Sequence, residues 1–300
     1  MAQIALKVDV DTLRGTREGV PRLLALLAEH GARATFYFSL GPDHTGWALR
    51  RVFRRGFMAK AVRTSVVSHY GLRTLMYGVL LPAPDIGRRA GAAMRAAAAA
   101  GHETGIHCYD HVYWQDNVAG KDQSWTNRQL DLAASAYARV FGSPAHTHAA
   151  AGWQVNRYLF ARQDDWGLLH ASDTRGRAPF LPVMGGYRAR CPQLPTTLPT
   201  LDELIGLDGR SEDAAAQDIL DATRRDCSDQ VYTLHAELEG QRLTPLFARL
   251  LAAWRERGHE LVTLAELRSQ LDPDRLPRHQ VIYGTLPGRS GMLALQGQPA

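Results

Sequence analysis

The chain opens on a run, Ile4 to Val10, that is mostly apolar and rich in β-branched residues, and this predicts a buried strand. Asp9 and Asp11 close it and, being two residues apart, point to one face. Pro21 then introduces the helical pattern Arg22 to His30, with Gly31 as its stop. Ala34 to Ser39 predicts a second strand, so the order is β-α-β, the unit of parallel sheets. The small-residue run Ala92 to Ala100 predicts a structural helix. Further on, Leu159 to Trp166 reads as a helix and Leu168 to Asp173 as a strand. Val231 to His235 is a late strand, and Leu243 to Arg257 a long amphipathic helix. Residues 1–272 are expected to form one domain, followed by an irregular tail over 273–300. The fold class expected is α/β.

The stretch from His44 to Pro84 interrupts this rhythm. It holds no Asp or Glu, but it does hold Arg50, Arg51, Arg54, Arg55, Lys60, Arg63 and Arg73. Wound as a helix, Leu49, Val52, Phe53 and Phe57 fall on one face and the four leading arginines on the other. That is the pattern of a helix lying on anionic lipid. A helix packed on the domain with solvated arginines, or a nucleic-acid patch, fits the same residues. Leu72 to Leu81 is more apolar and would sit deeper.

Composition adds bounds. A chain of 300 residues with 45% hydrophobic and 22% charged content is ordinary globular material. The net charge is +5 and the pI about 9.3, which suits acidic partners. The three cysteines, Cys108, Cys191 and Cys227, form no disulfide framework and point to a reducing compartment. No signal peptide and no membrane-spanning helix are expected.

Candidate chemistry centres on His107 and His111. At i and i+4 they would share one helix face and could grip one divalent cation; a plain polar helix face is the alternative. Two carboxylates at the end of an apolar strand repel each other unless a cation or proton holds them. One of Asp9 and Asp11 would complete a two-His-one-carboxylate set, leaving the other free as a base. Cys108 is expected to point away from the histidine face.

These motifs resemble the polysaccharide deacetylase superfamily, also called the NodB-homology or carbohydrate esterase 4 domain. They are Asp9 and Asp11, Ala34-Thr-Phe-Tyr37, the string Gly101-His-Glu-Thr-Gly-Ile-His107-Cys-Tyr-Asp-His111, and Val231-Tyr-Thr-Leu-His235. Within that superfamily the chain is similar to the branch that deformylates 4-deoxy-4-formamido-L-arabinose-phosphoundecaprenol. The stretches concerned are Asp9 to Pro21, Asp110 to Gln115, Ala149 to Trp153, Pro195 to Pro199, His235 to Gly240 and Pro287 to Gly291. Two departures stand out: Val10 separates an Asp pair that is usually adjacent, and His148-Ala-Ala-Ala-Gly152 replaces the usual Arg-x-Pro-x-Gly. Arg14, Arg17 or Arg175 is expected to stand in for the missing arginine.

The resemblance implies a distorted (β/α) barrel with the basic helical insert. It implies one divalent ion (zinc, cobalt, manganese or nickel) on Asp11, His107 and His111, with Asp9 as base and His235 as general acid. Asp173, Arg175, Trp153, Trp114, Asp110 and Glu237 are expected to contact substrate or back the site. Asp173 is a candidate to orient His235. The implied reaction is removal of the N-formyl group from the lipid-linked sugar, in lipid A modification and polymyxin resistance. The expected partners are the lipid-linked amino sugar and an anionic membrane surface, with Arg50, Arg51, Phe53, Arg54, Arg55 and Phe57 at the cytoplasmic face of the bacterial inner membrane; nucleic acid is not expected. The alternatives are an N-deacetylase of another amino sugar and an inactive membrane-bound binding module.

Overall fold

The computed structural model describes residues 2–48, 71–225 and 228–300. Arg50, Arg51, Phe53, Arg54, Arg55 and Phe57 therefore lie outside the described residues, as does Cys227. The organising element is β1 (Gln3–Val10), seven of whose eight residues are buried. It pairs in parallel with β2 (Thr35–Ser39) and β8 (Gln230–His235), and its first residues also pair with β9 (Glu260–Val262). Beyond β2 lie β3 (Glu103–Cys108), β4 (Thr147–His148) and β5 (His170–Ala171), again all parallel. The described residues thus form a seven-stranded parallel half-barrel, the α/β architecture expected.

Alternation along β1 explains why the sheet sits where it does. Ile4, Leu6, Val8 and Val10 join Phe36, Phe38, Leu234, Phe247 and Trp254 in the main core between sheet and helices. Ala5 belongs to a smaller cluster with Tyr37, Ala149 and Val231 on the other face. Lys7, Asp9 and Asp11 share that inner face, because side chains alternate with period two. The helices Val20–Glu29, Ile86–Ala99, Gln123–Phe141, Arg157–Trp166 and Thr244–Glu256 supply the outer layer. Gln123–Phe141 is not among the expected elements, Ile86–Ala99 begins six residues before the expected Ala92, and the other three lie close to the expected ranges.

Two expectations are corrected. His107 and His111 do not share a helix: His107 ends β3, and His111 is the first residue of the helix His111–Asn117. The stretch after Pro273 is not irregular. β10 (Arg278–Gly284) and β11 (Leu293–Pro299) form an antiparallel hairpin, and β10 pairs with β6 (Leu181–Met184), itself paired with β7 (Tyr187–Arg188). The pattern hid these strands because β10 buries only Val281 fully, so no apolar alternation marks it.

Gly105 shows how tightly the inner face is filled. A Cβ there would lie 2.6 Å from the Tyr37 ring and 2.7 Å from Thr147 Cγ2. Tyr37 is fully buried, and its hydroxyl is 2.7 Å from Thr147 Oγ1. Gly105→Ala overpacks this contact and is expected to destabilise the fold by about 1–3 kcal/mol. Urea unfolding checks this; an unchanged midpoint would show that the ring yields freely.

Candidate metal centre and active site

Strand register brings the site together. Asp9 is paired with His235 on β8 and with Tyr37 on β2, and Tyr37 with Gly105 on β3. Paired residues in a parallel sheet face the same way, so Asp9 and His235 project side by side at the C-terminal strand ends. His107 lies one inward position beyond Gly105, level with Asp11. Barrels of this type carry their chemistry at that end.

Asp11, His107 and His111 each offer a ligand atom, and those atoms lie within 4.8 Å of one another. Asp11 Oδ1 is 3.3 Å from Nε2 of both His107 and His111. His107 Nδ1 is 2.7 Å from the carbonyl oxygen of Ala149, to which it donates, and that bond fixes the tautomer that leaves Nε2 free to ligate. Asp11 Oδ1 is buried without a hydrogen-bond partner. An unpartnered buried carboxylate oxygen facing two imidazole nitrogens is the donor set a divalent cation requires. Burial alone would raise the Asp11 carboxyl, but His111 and His107 outweigh it and hold it well below the usual carboxylate range. Burial likewise opposes charge on His107, and Asp9 and Asp11 reverse that and raise it.

Cys108, next along β3, points to the other face and lies 3.3 Å from Ser39 Oγ. It stays out of the ligand set as expected, though by strand alternation and not by helix geometry.

The shell behind the ligands is built from carboxylates. Glu237 Oε1 accepts from Asp11 N at 3.1 Å, Thr12 N at 2.9 Å and Thr12 Oγ1 at 2.8 Å. A Cβ on Gly15 would sit 1.9 Å from that same oxygen, so only glycine fits there. Burial, then Asp11, pushes the Glu237 carboxyl well up. Asp43 Oδ2 accepts from Leu13 N at 2.9 Å and pins the next turn. Asp110 caps the helix that begins at His111, accepting from Tyr113 N at 3.1 Å, and its other oxygen lies 2.5 Å from His44 Nδ1. Asp110 and Glu237 thus bond the backbone on which His111 and Asp11 sit.

Other expected residues lie elsewhere or act differently. Asp173 does not orient His235. Its Oδ1 is 2.7 Å from His148 Nδ1 and accepts from Ala150 N, and its Oδ2 accepts from Gln163 and Gln193. The carboxylate beside His235 is Asp202, 4.0 Å from Nδ1. Asp202 pairs with Arg289 at 3.2 Å, while Arg175 and Arg289 both pair with Glu203. Glu239 accepts from His235 N at 2.9 Å, and burial pushes its carboxyl up to about 7. Trp114 and Trp153 are 1% and 2% exposed, so they pack instead of offering a face to sugar. Trp114 donates to Gln154 O at 2.9 Å, and the Trp153 ring lies 4.5 Å below Arg289.

None of the three candidate arginines holds Asp9. Arg14 pairs with Glu18, Arg17 donates to Arg89 O, and Arg175 binds Glu203 and Leu198 O. The cation on Asp9 is Lys7, with Nζ 3.1 Å from Oδ2. The sequence carried that signal: a lysine in an apolar strand, two residues from Asp9 on the same face.

Strand-end carboxylates, an Asp-His-His cluster that could hold a metal ion and a facing histidine on a parallel half-barrel fit a hydrolase. The comparisons agree. The polysaccharide deacetylase family profile matches residues 3–170. The chain is 34% identical to the probable 4-deoxy-4-formamido-L-arabinose-phosphoundecaprenol deformylase ArnD of Shewanella sediminis, covering 99% of this chain and 95% of that protein. It is 29% identical to the protein so named in Wigglesworthia glossinidia brevipalpis, over 94% and 98% of the two chains. Among solved structures, a Mycobacterium smegmatis protein described as a polysaccharide deacetylase superposes with a TM-score of 0.65 at 17% identity, covering 95% of each chain. A CE4-family pseudoenzyme from Bacillus anthracis gives 0.52 at 14% identity, over 93% of this chain and 69% of that one. These two likenesses concern fold alone. The chain belongs to the polysaccharide deacetylase family.

Replacing Glu237 by Ala frees the backbone of Asp11 and Thr12 and is expected to weaken metal affinity about 10- to 100-fold, whereas Glu237→Gln keeps an acceptor and stays near wild type. Calorimetric metal titration reads both; equal affinities in the two variants would contradict the supporting role.

Proposed function

We propose that this protein removes the N-formyl group from 4-deoxy-4-formamido-L-arabinose carried on undecaprenyl phosphate. The products are formate and the 4-amino sugar used in lipid A modification and polymyxin resistance. The observation that carries the hydrolytic reading is Asp9 and His235 paired across β1 and β8, beside the Asp11-His107-His111 cluster. The formyl group and the lipid-linked sugar come from the two similar deformylases, whose lengths the chain matches nearly end to end.

An amide resists hydrolysis because its carbonyl is weakly electrophilic and its amine leaves poorly. Asp11, His107 and His111 would hold a divalent ion, which when bound would supply Lewis acidity toward the carbonyl and the attacking water. Asp9 Oδ1, buried and without a hydrogen-bond partner, accepts the proton of the attacking water. His235 gives a proton to the departing nitrogen; its Nδ1 is turned toward Asp202. The expectation is that Asp9→Asn keeps its metal and loses turnover, since an amide oxygen is too weak a base. Mass spectrometry of the formamido-arabinose phospholipid incubated with metal-loaded protein tests the reaction. Loss of the formyl group is expected, and an intact formamide alongside cleavage of an N-acetyl analogue would move the protein to the deacetylases.

The membrane is part of the proposal. No helix among the described residues is long and apolar enough to cross a membrane. Bordering the basic insert, Leu72, Val79 and Leu80 are 68%, 54% and 76% exposed. The first residues of the insert are anchored near the metal cluster: His44 is bound to Asp110 and stacks on Trp47 at 3.7 Å. A peripheral seat on the cytoplasmic face of the inner membrane would bring the polyprenyl chain to this edge. Each surface cation adds about 1 kcal/mol on anionic lipid. Changing Arg50, Arg51, Arg54 and Arg55 to Glu should release the protein from anionic liposomes while sparing hydrolysis of a short-chain soluble substrate. Undiminished liposome binding would refute the membrane seat.

A further inference from the structure

Lys7 is fully buried. Its ammonium lies 3.1 Å from Asp9 Oδ2, an ion pair that is its one ionic contact among the described residues, and it makes no hydrogen bond there. The rings of Trp153 and Tyr37 lie 5.1 and 5.8 Å from Nζ. A buried ammonium is expensive unless a carboxylate compensates it, and an apolar residue of similar length would fill this strand position at no such cost. Something other than packing therefore accounts for a lysine here. Its compact charge on a long stem suits it to hold one oxygen of a neighbouring carboxylate.

We infer that Lys7 is a positioning residue for the hydrolysis. By its ion pair with Asp9 Oδ2, it fixes the carboxylate and leaves Oδ1 free of hydrogen bonds to act as the base. Oδ1 carries no hydrogen bond and lies 3.9 Å from His107 Nδ1, the nitrogen that donates to Ala149 O, while Oδ2 faces the Lys7 ammonium. Among the described residues no other lysine or arginine pairs with Asp9, and Arg14, Arg17 and Arg175 pair elsewhere. Without the ammonium, the carboxylate is free to rotate away or swing onto the metal ligands. The inference rests on the reading of Asp9 as base, and it explains how a strand otherwise built for burial presents that base at a fixed angle.

The test is a double-mutant cycle with a structural arm. Lys7→Met is expected to lose about 100-fold in kcat, the cost of an ångström-scale misplacement, with KM and bound metal per chain unchanged. Lys7→Arg restores the charge and recovers most of that loss. In an Asp9→Asn background, Lys7→Met brings no further loss, because the two residues act as one unit. Independent losses in the cycle, or near-wild-type kcat in Lys7→Met, would overturn the inference. Should Lys7→Met fail to fold, Lys7→Gln carries the same comparison. Crystal structures of wild type and variant need no substrate: Asp9 is expected to change rotamer in Lys7→Met and to keep it in Lys7→Arg. An unmoved Asp9 in Lys7→Met overturns the inference even if the formamido sugar proves not to be the substrate, whereas a wild type inert toward that sugar counts against the proposed function alone.

Discussion

Two carboxylates are buried at the end of an apolar strand, and most of the site follows from that constraint. Asp9 and Asp11 are 3% and 7% exposed. Negative charge in such surroundings is costly unless cations and N–H groups compensate it. Here the compensation is divided. Lys7 takes one oxygen of Asp9, and His107 and His111 converge on Asp11. The same convergence that stabilises Asp11 is one that a divalent ion could use.

The parallel sheet makes the arrangement possible. Register sets Asp9 beside His235, and the alternation that buries Val8 and Val10 in the core turns Asp9 and Asp11 inward. Around them the chain is committed to rigidity. Glu237 is enclosed by Gly15 and the Thr12 turn, and Arg289 is delivered by the β10–β11 hairpin to Asp202 beside His235. Hydrogen bonds from Arg175 N to Ala294 O and from Gln296 N to Arg175 O tie that hairpin to the barrel wall. His44 is joined through Asp110 to the helix that begins at His111, which links the candidate site physically to the edge proposed to meet lipid.

Much of this was legible from the amino-acid sequence, for identifiable reasons. β1, β2, β8 and the helix ending at Glu256 announce themselves because strong apolar periodicity survives in them. Residue type and spacing pick out Asp11, His107 and His111, which the structure brings together, though not on the helix expected for the two histidines. Four residues suit a helix face, and they also span a strand end, a short loop and a helix start. The alternation of Thr104, Ile106 and Cys108 with Gly105 and His107 held the correct answer. Lys7 was visible as a charge inside a buried strand, and attention to arginines passed over it. Asp202 lies in none of the stretches that carry the resemblance, and although Glu239 and Arg289 lie within them, their meaning arises only when distant segments meet at His235. Asp173 looked like a site residue from its strand-end position, but its neighbours His148, Gln163 and Gln193 consume both its oxygens.

The central claim is that the buried Asp11-His107-His111 cluster is a metal centre, with Asp9 kept beside it as a base. The most direct measurement is anomalous X-ray diffraction from crystals of the purified protein loaded with zinc. The account predicts one strong anomalous peak about 2.0–2.2 Å from Asp11 Oδ1 and from Nε2 of His107 and His111, with Asp9 still held by Lys7. A peak elsewhere, or an ion bound by Asp9 with Asp11 turned away, would contradict it.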